Sequence, residues 1–191
     1  AEWGSLRQQI DFRFTEPKFL GRDLRAGFDL FHSRYDLSEY SSYDYRSTGG
    51  GLRLSYPLNG YTLFSARYFL KSDEIIVPNN YCNGGLGSSA LCDQVGSYLN
   101  SSVGYTLQVN RTNDPVRPTR GWAGSLRQDF AGIGGDVNYV KTEADASYYY
   151  GITPEWVVSL QGSTGYVSGW NGDPIRINDR FFKGGNSFRG F

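Results

Sequence analysis

Apolar and polar side chains alternate one by one through eight long stretches of this sequence, and a period of two is the signature of a β-strand. Ser5–Phe14 sets Leu6, Ile10, Phe12 and Phe14 against Arg7, Gln9, Asp11 and Arg13. Asp23–Arg34 sets Leu24, Ala26, Phe28 and Leu30 against Arg25, Gly27 and Asp29, and Ser47–Pro57 sets Leu52, Leu54 and Tyr56 against Gly51, Arg53 and Ser55. Tyr61–Ser72 opposes Phe64, Ala66, Tyr68 and Leu70 to Ser65, Arg67 and Lys71. Tyr98–Thr112 opposes Val103, Tyr105, Leu107 and Val109 to Gly104, Thr106, Gln108 and Asn110. Trp122–Ala131 carries a weaker version, with Trp122, Leu126 and Phe130 facing away from Ser125, Arg127 and Asp129. Asp136–Gly151 opposes Val140, Ala144, Ala146, Tyr148 and Tyr150 to Lys141, Glu143, Asp145 and Ser147. Glu155–Ser168 opposes Trp156, Val158, Leu160 and Tyr166 to Ser159, Gln161 and Ser163.

These strands are about 10 to 16 residues long, where soluble proteins favour about 5–6 and a tilted membrane-spanning strand needs about 9–11. Their connections differ in kind. Leu58-Asn59-Gly60 and Thr153-Pro154 are tight and Asp114–Gly121 is a compact Pro-rich turn, whereas Tyr35–Arg46 and Lys71–Ser97 are long and polar. Gly132–Gly135 is the one short loop on the long-loop side. Short turns at one end and long loops at the other are the asymmetry of outer-membrane barrels. Composition agrees: 15 Tyr, 12 Phe and 25 Gly with a mean hydropathy of -0.48 suit a barrel with an apolar outside and a wet interior. Tyr56, Tyr61, Tyr68, Trp122, Tyr148, Tyr150, Trp156 and Tyr166 fall near strand ends, where interfacial aromatic girdles sit. A soluble β-sandwich would explain the alternation, but not eight consecutive long strands with aromatic ends. On this reading the charges Arg25, Arg53, Arg67, Arg127, Lys141, Glu143 and Asp145, with Gln108, face a lumen, and Phe28, Leu54, Tyr105 and Ala146 face lipid.

Other classes find little support. Apolar runs such as Ile75-Ile76-Val77 are far short of the roughly 20 residues of a spanning helix. Nineteen basic and nineteen acidic residues cancel, so the basic footprint of nucleic-acid binding is absent. His32 is the only histidine and lies near a strand end, so neither a catalytic triad nor a zinc site is indicated, and no metal or cofactor is expected. Gly49-Gly50-Gly51 and Gly184-Gly185 join no strand to a helix, so they read as close backbone approach rather than phosphate cradles. Cys82 and Cys92 share a Gly/Ser/Asn-rich stretch and are expected to form a disulfide in the longest extracellular loop. Closing so short a loop stabilises by about 2–3 kcal/mol. Ala1-Glu2-Trp3 opens with no basic and apolar leader, so the sequence is expected to be a piece of a longer secreted chain.

Residues 169–191 are neither strand-like nor a plain polar loop. Four phenylalanines and two arginines around paired glycines in Asn178–Phe191 imply a segment that packs into something, and a loop folding back into a polar lumen would suit it. Phe181-Phe182-x-Gly184-Gly185-x-x-x-Arg189-Gly190-Phe191 resembles the sixth extracellular loop of BamA-type assembly and secretion barrels. The turn Asn113–Trp122, with Asp114, Pro115, Pro118, Thr119 and Gly121, resembles the periplasmic Asp/Asn-Pro-x-x-Pro-Thr-x-Gly turn of that family. Arg127–Asp136 looks like the alphaproteobacterial members in particular.

The resemblance covers the whole chain and implies an all-β fold: an antiparallel transmembrane β-barrel segment whose eight long strands form an open curved wall. They would be the fourth to eleventh strands of a sixteen-stranded barrel, without the periplasmic POTRA domains and the strands of the seam where clients pair. It implies a place in the bacterial outer membrane and a role in folding and inserting β-barrel proteins, with no enzyme activity. The implied partners are outer-membrane lipid, client β-barrel proteins and, through the periplasmic domains, accessory lipoproteins. Arg189 matches the family's lumen-inserted arginine, and whether Glu143 or Asp145 could pair with it is open. Two other readings predict different things. A two-partner secretion or TamA-like barrel would share the arginine loop, and a self-contained eight-stranded barrel would pair its first and last strands with each other.

Overall fold

The computed structural model describes residues 2–3, 7–36, 44–77, 82, 89–153, 155–172, 174–176 and 179–181. It is a single antiparallel meander of nine strands, each hydrogen-bonded to the next in sequence. The strands are β1 (Glu2–Trp3), β2 (Arg7–Glu16), β3 (Arg25–Asp36), β4 (Asp44–Asn59), β5 (Thr62–Ile76), β6 (Gly96–Thr112), β7 (Gly121–Ala131), β8 (Tyr139–Gly151) and β9 (Val157–Gly169). Eight are long. The two-residue β1 adds to the outer edge of β2 through Glu2↔Gln9 and Trp3↔Gln8, a pairing the alternation of side chains did not signal. Among the described residues no ladder joins β9 to β1 or β2, so the sheet is an open wall and the self-contained barrel is not what forms.

The observed strands differ from the expected ones chiefly at the long-loop end. β4 begins three residues before Ser47 and β5 runs four beyond Ser72, because polar partners continue the ladder past the apolar stretch. There Arg46 Nη1 donates to Glu74 Oε2 at 3.0 Å, and Ser47 Oγ and Tyr45 Oη donate to Asp73 Oδ1 at 2.6 and 2.9 Å. β8 begins at Tyr139 rather than Asp136. Asp136 instead caps β6: its backbone N–H donates to the Leu99 carbonyl at 2.7 Å and its Oδ2 accepts from the Leu99 N–H at 2.8 Å. Tyr68, expected near a strand end, lies inside the lengthened β5 with its hydroxyl 3.0 Å from Ser101 Oγ. Tyr56, Tyr61, Trp122, Tyr148, Tyr150 and Trp156 all gather at the tight-turn end.

Direct partners across an antiparallel ladder share a face, so the register carries each face across the whole sheet. One continuous row reads Phe14, Phe28, Leu52, Tyr68, Val103, Phe130, Val140, Ser168. The adjacent row, on the opposite face, reads Thr15, Gly27, Arg53, Arg67, Gly104, Asp129, Lys141, Val167. The apolar face is bare: Phe12 is 55% exposed and Leu52 61%. The apolar cluster of buried residues is small and lies on the polar side instead. It consists of Ala131, Val137 and Tyr139, flanked by Tyr98, Val167 and Ile175.

Candidate functional site

The polar face of the sheet is the candidate site, together with the segment after β9 that lies on it. Arg25, Arg53, Arg67, Arg127, Lys141, Glu143 and Asp145 all fall on this one face by register, as does Gln108. Two clusters organise most of these charges. In the first, Asp29 accepts from Arg13 Nε at 2.9 Å and from Arg53 Nε and Nη2 at 2.5 and 3.0 Å. In the second, Arg67 Nε donates to Asp129 Oδ1 at 2.8 Å and its Nη1 to Thr106 Oγ1 at 2.5 Å. Arg127 Nε donates to the other oxygen of Asp129 at 3.0 Å and lies 3.7 Å from Glu143, which Lys141 approaches at 3.8 Å.

Arg67 and Asp129 sit on strands that are not neighbours; β6 lies between them. They meet because the intervening residue of their row is Gly104. A Cβ there would stand 2.1 Å from Asp129 Oδ1, so only glycine leaves the carboxylate its place. The pair is well covered, with side chains 10% and 14% exposed. Asp145 lies nearer the tight turns and accepts from Ser125 Oγ at 2.8 Å. Arg25 is exposed.

Asp29, Asp73 and Asp129 are the acids that hold these networks; alternation placed Asp29 and Asp129 on the polar face, but none of the three was named among the lumenal charges. The signal that finds Asp29 and Asp129 is register, with Arg13 one strand away and Arg67 two strands away in their rows, whereas Asp73 meets Lys71 of its own strand. An acid is informative when a basic residue stands one or two strands away in the same row.

His32, expected near a strand end, lies within β3, and its Nδ1 is 2.7 Å from Thr48 Oγ1 across the sheet. A second unforeseen feature lies on the apolar face: Tyr105 Oη donates to Gln128 Oε1 at 2.8 Å, and Gln128 Nε2 donates to Thr142 Oγ1 at 3.1 Å. The amide in the Arg127–Asp136 stretch is thus satisfied by its two row neighbours.

The turn between β6 and β7 is held by two side-chain acceptors. Asp114 Oδ1 accepts from the Val116 and Arg117 N–H groups at 2.7 and 2.9 Å, and Asn113 Oδ1 from those of Thr119 and Arg120 at 3.0 and 2.9 Å. Asn113 Nδ2 donates to Thr119 Oγ1 at 2.8 Å. Pro115 and Pro118 fit between these bonds, since neither needs to donate. The two backbone donors hold the Asp114 carboxyl below the ordinary aspartate range.

Beyond β9 the chain turns back over the polar face. Trp170 Nε1 donates to the Ala131 carbonyl at 2.9 Å, and the Arg176 guanidinium lies over the Tyr98 ring at 3.2 Å from its centroid. Asp179 is buried, and Phe181 covers Lys141, whose Nζ is 4.5 Å from the ring centroid. Phe182, Gly184, Gly185, Arg189, Gly190 and Phe191 lie outside the described residues. Cys82 and Cys92 form a disulfide with Cα atoms 5.7 Å apart, its second cysteine closing the four-residue helix Ser89–Cys92. Among the described residues no cluster of His, Cys, Asp and Glu could hold a metal ion.

Comparison with known proteins adds a lineage to this geometry. A family profile described as the Omp85 superfamily domain matches residues 1–191. The outer membrane protein assembly factor BamA of Neorickettsia risticii is 27% identical over 188 residues, 98% of this chain and 24% of that protein. BamA of Neisseria meningitidis is 22% identical across 93% of this chain. The human sorting and assembly machinery component 50 homolog is 30% identical over 112 residues, 58% of this chain. The chain spans about a quarter of the length of these relatives. The crystal structure of Haemophilus ducreyi BamA lacking POTRA domains 1–3 superposes with a TM-score of 0.77 at 18% identity, covering 95% of this chain and 37% of that one.

Proposed function

Because the chain belongs to the Omp85 superfamily, we propose that it forms part of the wall of a bacterial outer-membrane barrel that folds and inserts other β-barrel proteins. One observation carries this reading: a single layer of long strands has bare aromatic and aliphatic residues on one face and ion-paired residues on the other. In water such an apolar face must be covered by a second layer, and in a membrane lipid covers it. The polar face is then the lumen, which suits Arg53, Arg67, Arg127, Lys141 and Glu143 standing there in networks. Relatives named as assembly factors, matching along nearly the whole chain, favour assembly over secretion.

In this role the partners are outer-membrane lipid, client strands that pair through their backbones, and accessory lipoproteins reached through periplasmic domains. Edge pairing needs only backbone donors and acceptors, so the reading assigns no bond-breaking chemistry to the chain. The Cys82–Cys92 loop lies at the extracellular end and the Asn113–Gly121 turn at the periplasmic end. Arg189 is expected, in the full-length protein, to pair with a carboxylate in the lumen.

The test uses the natural full-length protein in lipid vesicles, with the folding of an unfolded barrel client followed by its heat-modifiable gel mobility. Vesicles carrying the protein should fold the client faster than empty ones, and equal rates would overturn the reading. Arg189→Ala should slow client folding by about tenfold or more, since orphaning one member of a buried pair costs on the order of 3–5 kcal/mol. Arg189→Lys should recover only part, because an ammonium cannot reproduce the guanidinium's forked contacts. Full activity of Arg189→Ala would show the arginine to be only a loop charge.

A further inference from the structure

We infer that the polar face carries a prepared socket for Ile175, Arg176, Asp179 and Phe181, and that Asp179 is the positioning residue seating them through a hydrogen bond to Tyr139. This rests on the proposed function only in where the segment leads, since the glycine- and arginine-bearing stretch 182–191 follows it directly.

Three independent contacts define the socket. First, Ile175 packs on Ala131, Val137 and Tyr139, the small apolar cluster of the polar side. Burying apolar residues on an otherwise charged wall makes sense only where something covers them. Second, Arg176 stacks on Tyr98 of β6, a cation–π contact. Third, Phe181 lies on β9 and β8, over Gly165 and Lys141. A Cβ on Gly165 would stand 2.6 Å from the Phe181 ring, so the wall is cut back where the ring sits.

Asp179, between Arg176 and Phe181 in the chain, is only 7% exposed and lies beside the hydroxyl of the equally buried Tyr139. Its backbone N–H donates to the Arg176 carbonyl at 3.1 Å. The nearby cations are already engaged: Lys71 Nζ donates to Asp73 Oδ2 at 2.5 Å, and Lys141 stands between Glu143 and the Phe181 ring. Among the described residues Asp179 is therefore an acid without an ion-pair partner in a covered site. Burial, opposed by Lys71 and Lys141, pushes its carboxyl above the ordinary aspartate range. Among the described residues its side-chain hydrogen-bond partner is Tyr139, itself the acceptor of Asn100 Nδ2 at 3.2 Å.

The socket is tested by limited trypsin digestion of the natural full-length protein folded in detergent, following cleavage after Arg176 and Arg180. Heat-modifiable mobility first establishes that each variant's barrel is folded. Asp179→Ala should raise the cleavage rate at least about tenfold. Asp179→Asn, which keeps an acceptor for Tyr139, should stay within about twofold of wild type. Tyr139→Phe, which removes only the hydroxyl, should raise cleavage as well and serves if Asp179→Ala does not fold. An Asp179→Ala or Tyr139→Phe barrel as resistant as wild type overturns the socket, and Asp179→Asn cleaved as fast as Asp179→Ala overturns the hydrogen-bonding role. Client folding is measured separately. A wild-type protein that folds no client would undo the proposed function while leaving the digestion result intact.

Discussion

Arg67 and Asp129 reach each other across an intervening strand, and the contact depends on a residue with no side chain. Gly104 stands between them in the row, so the strand that separates the pair also lets it form. Both side chains are well covered, and removal of one leaves the other desolvated without its partner. Arg67→Ala is expected to destabilise the full-length barrel by about 3 kcal/mol, the low end for a broken buried pair, because Asp129 keeps Arg127. Urea unfolding of the lipid-embedded protein checks this, and an unchanged midpoint would mean that lumenal water replaces the arginine. The bases of these networks were legible from the sequence because Arg53, Arg67, Arg127 and Lys141 interrupt apolar alternation. Of their acids only Glu143 was named. Which acid meets which base depends on strand register, and register is a property of pairs of strands rather than of one stretch of sequence.

The turn from β6 to β7 is an element whose sequence states its own structure. Asp114 and Asn113 each accept two backbone N–H groups, while Pro115 and Pro118 occupy positions with no donor to satisfy. A carboxylate bonded to two amides is favoured in its charged form, which is why the Asp114 carboxyl lies below the ordinary aspartate range. The sign follows from linkage: a depressed folded-state pKa stabilises the turn above the ordinary value and is lost as pH falls through the lower one. In an acid titration followed by NMR, the Val116 and Arg117 amide signals should therefore shift with a midpoint below about 3.9. A midpoint at or above that value would contradict the capping role.

Strand ends were less legible than the turn. Charge pairs such as Arg46–Glu74 prolong β4 and β5 beyond their apolar residues, and the tuck of Asp136 onto Leu99 delays β8. Alternation reports where a face is apolar, not where the ladder stops. The two-residue β1 has too few residues to show any alternation at all.

At the scale of the whole molecule, nine strands make one open layer whose polarity is inverted relative to a soluble protein: ion pairs on one face, exposed aromatic and aliphatic residues on the other. Alternation was enough to foresee the eight long strands and their two faces, and the resemblance to a known family supplied the single open layer. Which face meets lipid follows from length, girdle and turn asymmetry taken together. Backbone groups along a free edge cannot be left in hydrocarbon, so the account also requires further strands beside β9 in the membrane. The most direct test places nitroxide spin labels one at a time from Gly51 to Tyr56 in the natural full-length protein reconstituted in lipid. Collision with oxygen, which dissolves in the bilayer, is then compared with collision with a water-soluble nickel complex. Labels at positions 52, 54 and 56 should favour oxygen, and those at 51, 53 and 55 the nickel complex, reversing at every residue. Labels at Arg53 and Ser55 that favour oxygen, or a profile with no period of two, would contradict the assignment of this sheet to a barrel wall in a membrane.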